Sequence, residues 1–255
     1  MNKLPQITLA FWIMKIAATT LGETAGDLLA QTMAVGYLVS SVILVGLFLA
    51  SLVTQLRVRA FHPVLYWSVI LSTSTAGTTV SDFMNRTAGL GYAKGALVLI
   101  TALAVVFAVW KRSGHSFDVQ SIGTLRGELL YWAAILISNT LGTSLGDFLA
   151  DSSGLGYSGG ALLVGGALAL IVAAKYAGGI SDTLLFWMAF VLTRPLGATV
   201  GDFLSKPGAK GGLGYGTVGS SAVLLAVLAV LIVRTVRQQP KRGAVEEERK
   251  SPAAV

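Results

Sequence analysis

Cysteine is absent from the 255 residues, and charge is scarce, with Asp, Glu, Lys and Arg together making up 12% of the chain. The first absence excludes a disulfide framework, a thiolate metal site and a cysteine nucleophile. The second separates the chain from ordinary globular domains, which carry about 25% charged residues. Histidine is nearly missing as well. His62 and His115 fall in linkers between apolar runs and read as solvated side chains rather than ligands. No phosphate-binding glycine loop, His-Glu-x-x-His helix, dinucleotide fingerprint or nucleophile-elbow serine occurs. The sequence therefore argues against an enzyme and assigns no catalytic residue and no cofactor.

What is abundant is apolar. Hydrophobic residues make up 54% of the chain, glycines number 30, and the mean hydropathy is +0.72. That composition marks an integral membrane protein, in which glycine serves close helix packing. The net charge of +7 does not point to nucleic acid. Most of the Lys and Arg lie at helix ends and in the C-terminal tail, where they orient a membrane protein and meet anionic headgroups. The expected partners are the lipid bilayer and a small cation or a proton, with no nucleic acid and the oligomeric state left open.

Internal repetition sets the architecture. Trp12, Trp67, Trp132 and Trp187 each precede an aspartate by fifteen residues, namely Asp27, Asp82, Asp147 and Asp202. Counting from each tryptophan, position +10 is Gly22, Gly77, Gly142 or Gly197, and position +12 is Thr24, Thr79, Ser144 or Thr199. A Gly-Tyr pair follows at 36–37, 91–92, 156–157 and 214–215, the last copy after three extra residues in its loop. Beyond each Gly-Tyr runs another apolar stretch of about twenty residues, enough to cross a bilayer.

The expected fold is an all-α membrane protein of eight transmembrane helices, built from four parallel helical-hairpin repeats near 7–60, 61–111, 126–176 and 181–236. These form a single domain over 1–236, followed by a disordered cytoplasmic tail over 237–255. First helices are expected near 7–30, 64–85, 129–150 and 182–204, and second helices near 37–57, 92–111, 157–175 and 215–235. Trp-to-Trp spacings of 55, 65 and 55 suggest that a pair of repeats was itself duplicated. The first apolar segment is a full member of the repeat, so it is not read as a cleavable leader. Basic residues cluster on the tryptophan side (Lys3, Arg57, Arg59, Lys111, Arg112, Arg126, Lys175, Arg234, Arg237), which by the positive-inside rule places both termini in the cytoplasm. The tryptophans and the Gly-Tyr tyrosines are then expected to form the two interfacial aromatic belts.

This pattern resembles a family of bacterial inner-membrane proteins defined by four tandem two-span repeats of unknown function, each with a characteristic tryptophan. The resemblance rests on four in-register copies of Trp…Gly-x-Thr-x-x-Asp…Gly-Tyr and covers residues from about 7 to 235. It implies the topology and a bacterial plasma-membrane location, and it supplies no activity.

An ionisable side chain inside a membrane costs about 2.5–3.5 kcal/mol on the insertion scale and marks an ion path or relay by default. Along the first helices, +3, +7, +11 and +15 fall on one stripe. Position +3 is Lys15 in the first repeat and apolar elsewhere. Position +7 is Thr19, Ser74, Asn139 and Arg194, and +11 is Glu23, Thr78, Thr143 and Ala198. The residues charged in only one repeat thus share the stripe that ends at the repeated aspartate. The +12 hydroxyls are expected to stand beside those aspartates. Five acids against two bases in the spans leave a formal −3, room for protons or a hard cation such as Na⁺, Mg²⁺ or Mn²⁺, the metal itself being unassigned.

The expected function is a cation- or proton-linked transporter or channel. Asp27, Asp82, Asp147 and Asp202 form an outer ring, Glu23 and Arg194 gate or couple, and Lys15, Asn139 and the +12 hydroxyls complete the path. The alternative is a non-transporting scaffold or sensor in which the aspartates lock repeats together. On that reading Lys15 snorkels to the interface and Arg194 merely neutralises an acid. In both readings the glycines at +10 and the small residues at +14 (Gly26, Ser81, Gly146 and Gly201) pack helices through small-x-x-x-small contacts.

Overall fold

The computed structural model describes residues 4–58 and 60–250, with side chains described at all of these except 120 and 238–250. Among the described residues there are eight α-helices and no strand: α1 (Leu9–Asp27), α2 (Tyr37–Arg57), α3 (Pro63–Asp82), α4 (Tyr92–Arg112), α5 (Leu125–Asp147), α6 (Gly156–Ala177), α7 (Asp182–Ser205) and α8 (Gly216–Lys250). Each first helix starts on a side chain that accepts a backbone N–H, Thr8 from Phe11, His62 from Leu65, Thr124 from Gly127 and Ser181 from Leu184. This is ordinary N-capping, and it gives His62 a structural task.

The first helices α1, α3, α5 and α7 form a closed inner ring. α1 packs on α3 and α7, and α5 packs on the same two from the opposite side. Each second helix lies on the first helix of the next repeat, α2 on α3, α4 on α5, α6 on α7, with α8 returning to α1. The repeats therefore interlock rather than stand as separate hairpins, and α8 closes the circle. The Gly-Tyr glycines explain the reversal. Gly36, Gly91, Gly156 and Gly214 all have φ between 67° and 81°, a left-handed conformation that side chains disfavour.

Six helices are long and apolar enough to cross a membrane: α2, α4, α5, α6, α7 and residues 216–237 of α8. α1 and α3 are not in that set. α1 carries Lys15, Glu23 and Asp27, and α3 is rich in Ser and Thr, because both turn polar faces toward the ring interior. α2, α4, α6 and α8 instead expose long apolar rows, such as Val42, Leu97, Leu162 and Val223.

Neighbouring inner helices meet at the repeated glycines. The +10 glycine of each repeat sits against the +7 residue of the next: Gly22 on Ser74, Gly77 on Asn139, Gly142 on Arg194 and Gly197 on Thr19. A Cβ added at these glycines would fall 2.2–3.0 Å from its nearest neighbour, closer than atoms tolerate. The packing expectation for these positions holds, and the four contacts repeat around the ring.

One expectation needs correction. Trp67, Trp132 and Trp187 do not form an interfacial belt but are buried, with Trp12 partly so. Their rings interlock with Phe11, Tyr66, Tyr131 and Phe186 at this end of the ring. α8 continues to Lys250; residues 251–255 of the stretch expected to be disordered lie outside the described residues.

The glycine contacts generate a stability prediction. Gly142→Ala drives a methyl group into Arg194 and Pro195 and is expected to destabilise by about 1–3 kcal/mol. Gly165→Ala on α6 meets nothing within 4 Å and is expected to leave stability unchanged or raise it by about 0.5–1 kcal/mol through helix propensity. Thermal unfolding of the two purified variants in one detergent checks the contrast.

Candidate functional site

The stripe identified in the sequence becomes the wall of the ring interior. It extends one turn further in each direction than the four positions named above, so that layers run at −1, +3, +7, +11, +15 and +19. Twenty residues at 1.5 Å each give about 30 Å, the thickness of a bilayer core.

At one end the −1 layer is aromatic in every repeat: Phe11, Tyr66, Tyr131 and Phe186. The two tyrosine hydroxyls join at 2.7 Å, both fully buried, and the layer closes that end of the ring. Above it Lys15 is completely buried. Its Nζ donates to Asn139 Oδ1 at 3.3 Å and lies 4.0 Å over the Phe190 ring. Asn139 donates in turn to Thr73 Oγ1 at 2.9 Å. Lys15 is thus an interior residue, and its snorkelling to an interface is excluded.

Arg194 occupies the centre, with no exposed surface. Its guanidinium pairs with Glu23 Oε2 at 3.0 Å. It donates to the Thr19 carbonyl at 3.4 Å, the Ser74 carbonyl at 3.3 Å, Thr143 Oγ1 at 2.7 Å and Thr78 Oγ1. One side chain from α7 therefore touches α1, α3 and α5. The Thr78 and Thr143 hydroxyls also donate to Glu23 Oε2, each at 3.3 Å. Gly142 makes room for the arginine stem, since a Cβ there would lie 2.3 Å from Arg194 Cγ.

The four aspartates come next, each no more than 4% exposed. Glu23, Asp147 and Asp202 bring carboxylate oxygens within 4.8 Å of one another. Two bases reach in from the +19 layer. Arg86 lies 3.0 Å from Asp82 of its own repeat, 3.5 Å from Asp147 of the next and 3.7 Å from Asp151. Lys206 lies 3.4 Å from Asp202 of its own repeat and contacts Asp27 of the next, where Gln31 joins both. Burial opposes the Lys206 charge, but Asp202 and Asp27 outweigh it and hold the ammonium above the ordinary lysine pKa. The Asp82 and Asp202 oxygens in these ion pairs are both Oδ1.

The helix geometry changes at these acids. Directly after Asp27, Asp82 and Asp147 the chain widens into five-residue π-helical turns, 28–32, 83–87 and 148–152. Such turns are rare and concentrate at functional positions. The fourth repeat lacks one. Its longer loop instead takes an extended residue at Lys206, followed by Pro207 and a 3₁₀ turn at 208–210.

All four aspartates, Glu23, Arg194, Lys15 and Asn139 are therefore brought into one column. The +12 hydroxyls are directed elsewhere. Thr79 and Thr199 donate to carbonyls of their own helices, Thr24 accepts from Ser221 of α8, and Ser144 meets Ser81 and Asn85. Position +12 lies a full helical step off the stripe, and the +11 hydroxyls of Thr78 and Thr143 take the place expected for them. The sequence reading stopped at +15 and so missed Arg86 and Lys206. Four residues further along the same face, +19 reads Gln31, Arg86, Asp151, Lys206, a signal available without coordinates. Including that layer changes the formal sum from −3 to −2.

No curated protein and no solved structure matches the chain. One family model does match, four times in tandem, over residues 10–61, 65–116, 130–179 and 185–240. The chain belongs to the family defined by the Repeat of Unknown Function (DUF347), of which it carries four copies.

Proposed function

We propose that the chain crosses a bacterial plasma membrane eight times, both ends cytoplasmic, and moves protons or a small hard cation along the central column. One observation carries this reading: the ionisable residues of four repeats line one axis about as long as a bilayer core is thick. α1 and α3 cross with the rest because the other inner helices shield their polar faces. Asp27, Asp82, Asp147 and Asp202 form the outer acidic layer, with Glu23, Asp147 and Asp202 as the cation-holding group. All-oxygen ligands suit hard cations or protons. Arg194 competes with the cargo for Glu23, and its release of that carboxylate is the gating step. The aromatic layer at the tryptophan end is the closed gate of this state. No chemical conversion is part of the proposal.

The rival reading, a non-transporting scaffold or sensor, has its own support. Each aspartate has a base beside it, and Arg194 alone ties four helices together. Buried pairs of this kind hold a bundle in one arrangement, and removing one partner costs about 3–5 kcal/mol.

The two readings diverge in proteoliposomes. Glu23→Gln and the double variant Asp147→Asn with Asp202→Asn are expected to keep their fold and lose about tenfold or more in flux, equivalent to at least about 1.4 kcal/mol. The assay uses a panel of H⁺, Na⁺, Mg²⁺ and Mn²⁺ gradients. Unchanged flux across the panel overturns transport. Arg86→Met combined with Lys206→Met separates the scaffold reading. It is expected to lower thermal stability by several kcal/mol through buried unpaired carboxylates, and in a transporter, added cation restores part of the loss. A loss that no cation relieves favours the lock.

A further inference from the structure

A cavity lies away from the charged column. It is a groove of about 650 Å³ between α1, α6 and α7 at the tryptophan end, lined by Trp12, Ile16, Leu168, Ile171, Val172 and Phe186, with Lys175 and Asp182 at its mouth. That volume is within the range of small-molecule sites, about 300–1,000 Å³.

Repeat symmetry explains why the groove exists. Counted from their Gly-Tyr tyrosines, α4 and α6 are equivalent, and Phe107 and Trp110 of α4 correspond to Val172 and Lys175 of α6. On α4 those two rings fill the groove beside the next first helix but one. Phe107 lies 5.1 Å and Trp110 5.6 Å from Trp187, and Trp110 is completely buried. On α6 the corresponding partner is Trp12, but valine is too small to reach it and lysine turns outward to Asp182. Of the four second helices only α4 carries aromatic rings at these positions, α2 having Leu52 and Gln55 and α8 Val230 and Val233, and α6 leaves the place beside Trp12 unfilled.

We propose that this groove binds a membrane phospholipid with a zwitterionic ethanolamine headgroup, one acyl chain occupying the place that Phe107 and Trp110 fill in the second repeat. The wall is apolar where a chain would lie. α6 faces outward along its length, exposing Leu162, Leu163 and Leu170, so the groove opens to lipid. The mouth carries an ammonium and a carboxylate side by side, both well exposed, 52% at Lys175 and 76% at Asp182. A headgroup with a phosphate for Lys175 and an ammonium for Asp182 satisfies both at once, whereas an anionic headgroup leaves the carboxylate opposed. The proposal needs only that α6 faces lipid, and it stands or falls independently of transport.

The full chain is placed in nanodiscs of phosphatidylethanolamine and phosphatidylglycerol, each doped in turn with a trace of the same lipid carrying a photoactivatable acyl chain. Wild type is expected to crosslink at 168, 172 and 189 and to favour the ethanolamine probe. Val172→Trp, which fills the place beside Trp12, is expected to reduce labelling there by about tenfold, equivalent to about 1.4 kcal/mol. Leu168→Phe serves the same purpose if Val172→Trp does not fold. Asp182→Ala is expected to keep chain labelling and abolish the preference for ethanolamine over glycerol. Labelling spread evenly over α2, α4, α6 and α8, or undiminished in the filled variants, overturns the site. Equal labelling by both wild-type probes overturns the headgroup assignment.

Discussion

The bundle depends on how closely four inner helices approach one another, and that distance is set where the glycine at +10 of one repeat meets the residue at +7 of the next. With a hydrogen in place of a side chain, backbone and side chain touch directly, and dispersion contacts replace a hydrophobic driving force that lipid does not supply between helices. The same approach narrows the ring, so polar side chains on the inner stripe meet one another instead of water. Arg194 reaches three neighbouring helices only because Gly142 leaves space for its stem. Electrostatic contact across the column is thus a consequence of small residues at the crossings.

A nearly fourfold frame carries a charge pattern of lower symmetry. The bases at +19 occur in the second and fourth repeats, each bridging its own aspartate to that of the following repeat. This alternation matches the 55, 65, 55 spacing and a pair of repeats copied as a unit. Glu23 and Arg194 break even the twofold pattern, since they occur once each and meet at the centre. Equivalent positions supply the shape, and non-equivalent residues supply the chemistry. The same holds at the periphery, where Val172 and Lys175 stand in place of Phe107 and Trp110 and a groove lies beside Trp12.

Much of this was legible beforehand. Helix positions, repeat boundaries and the identity of the charged stripe follow from periodicity, because a residue every fourth place on a helix returns to one face whatever surrounds it. The errors have a common physical source. Tryptophan was assigned to an interface because single-helix amphipathicity cannot say whether an aromatic faces lipid or another helix. The +12 hydroxyls were grouped with the aspartates because three residues' separation also brings side chains near each other, yet the ring axis selects +11. Arg86 and Lys206 lie just past the expected helix ends at 85 and 204, whereas a π turn carries Arg86 one turn beyond Asp82 and α7 runs on to Ser205, which sets Lys206 one turn beyond Asp202.

The sequence by itself determined the repeat number, the helical class and the stripe on which every buried charge lies, since these depend on local spacing and composition. Only the tertiary structure decided that the second helix of each repeat packs on the following repeat, that α8 closes the ring, and which acid faces which base. Those are matters of contact between segments far apart in the chain, 179 residues for Lys206 and Asp27 and 221 for Thr235 and Met14. A helical period fixes direction around one axis; it takes four axes brought together to decide what lies between them.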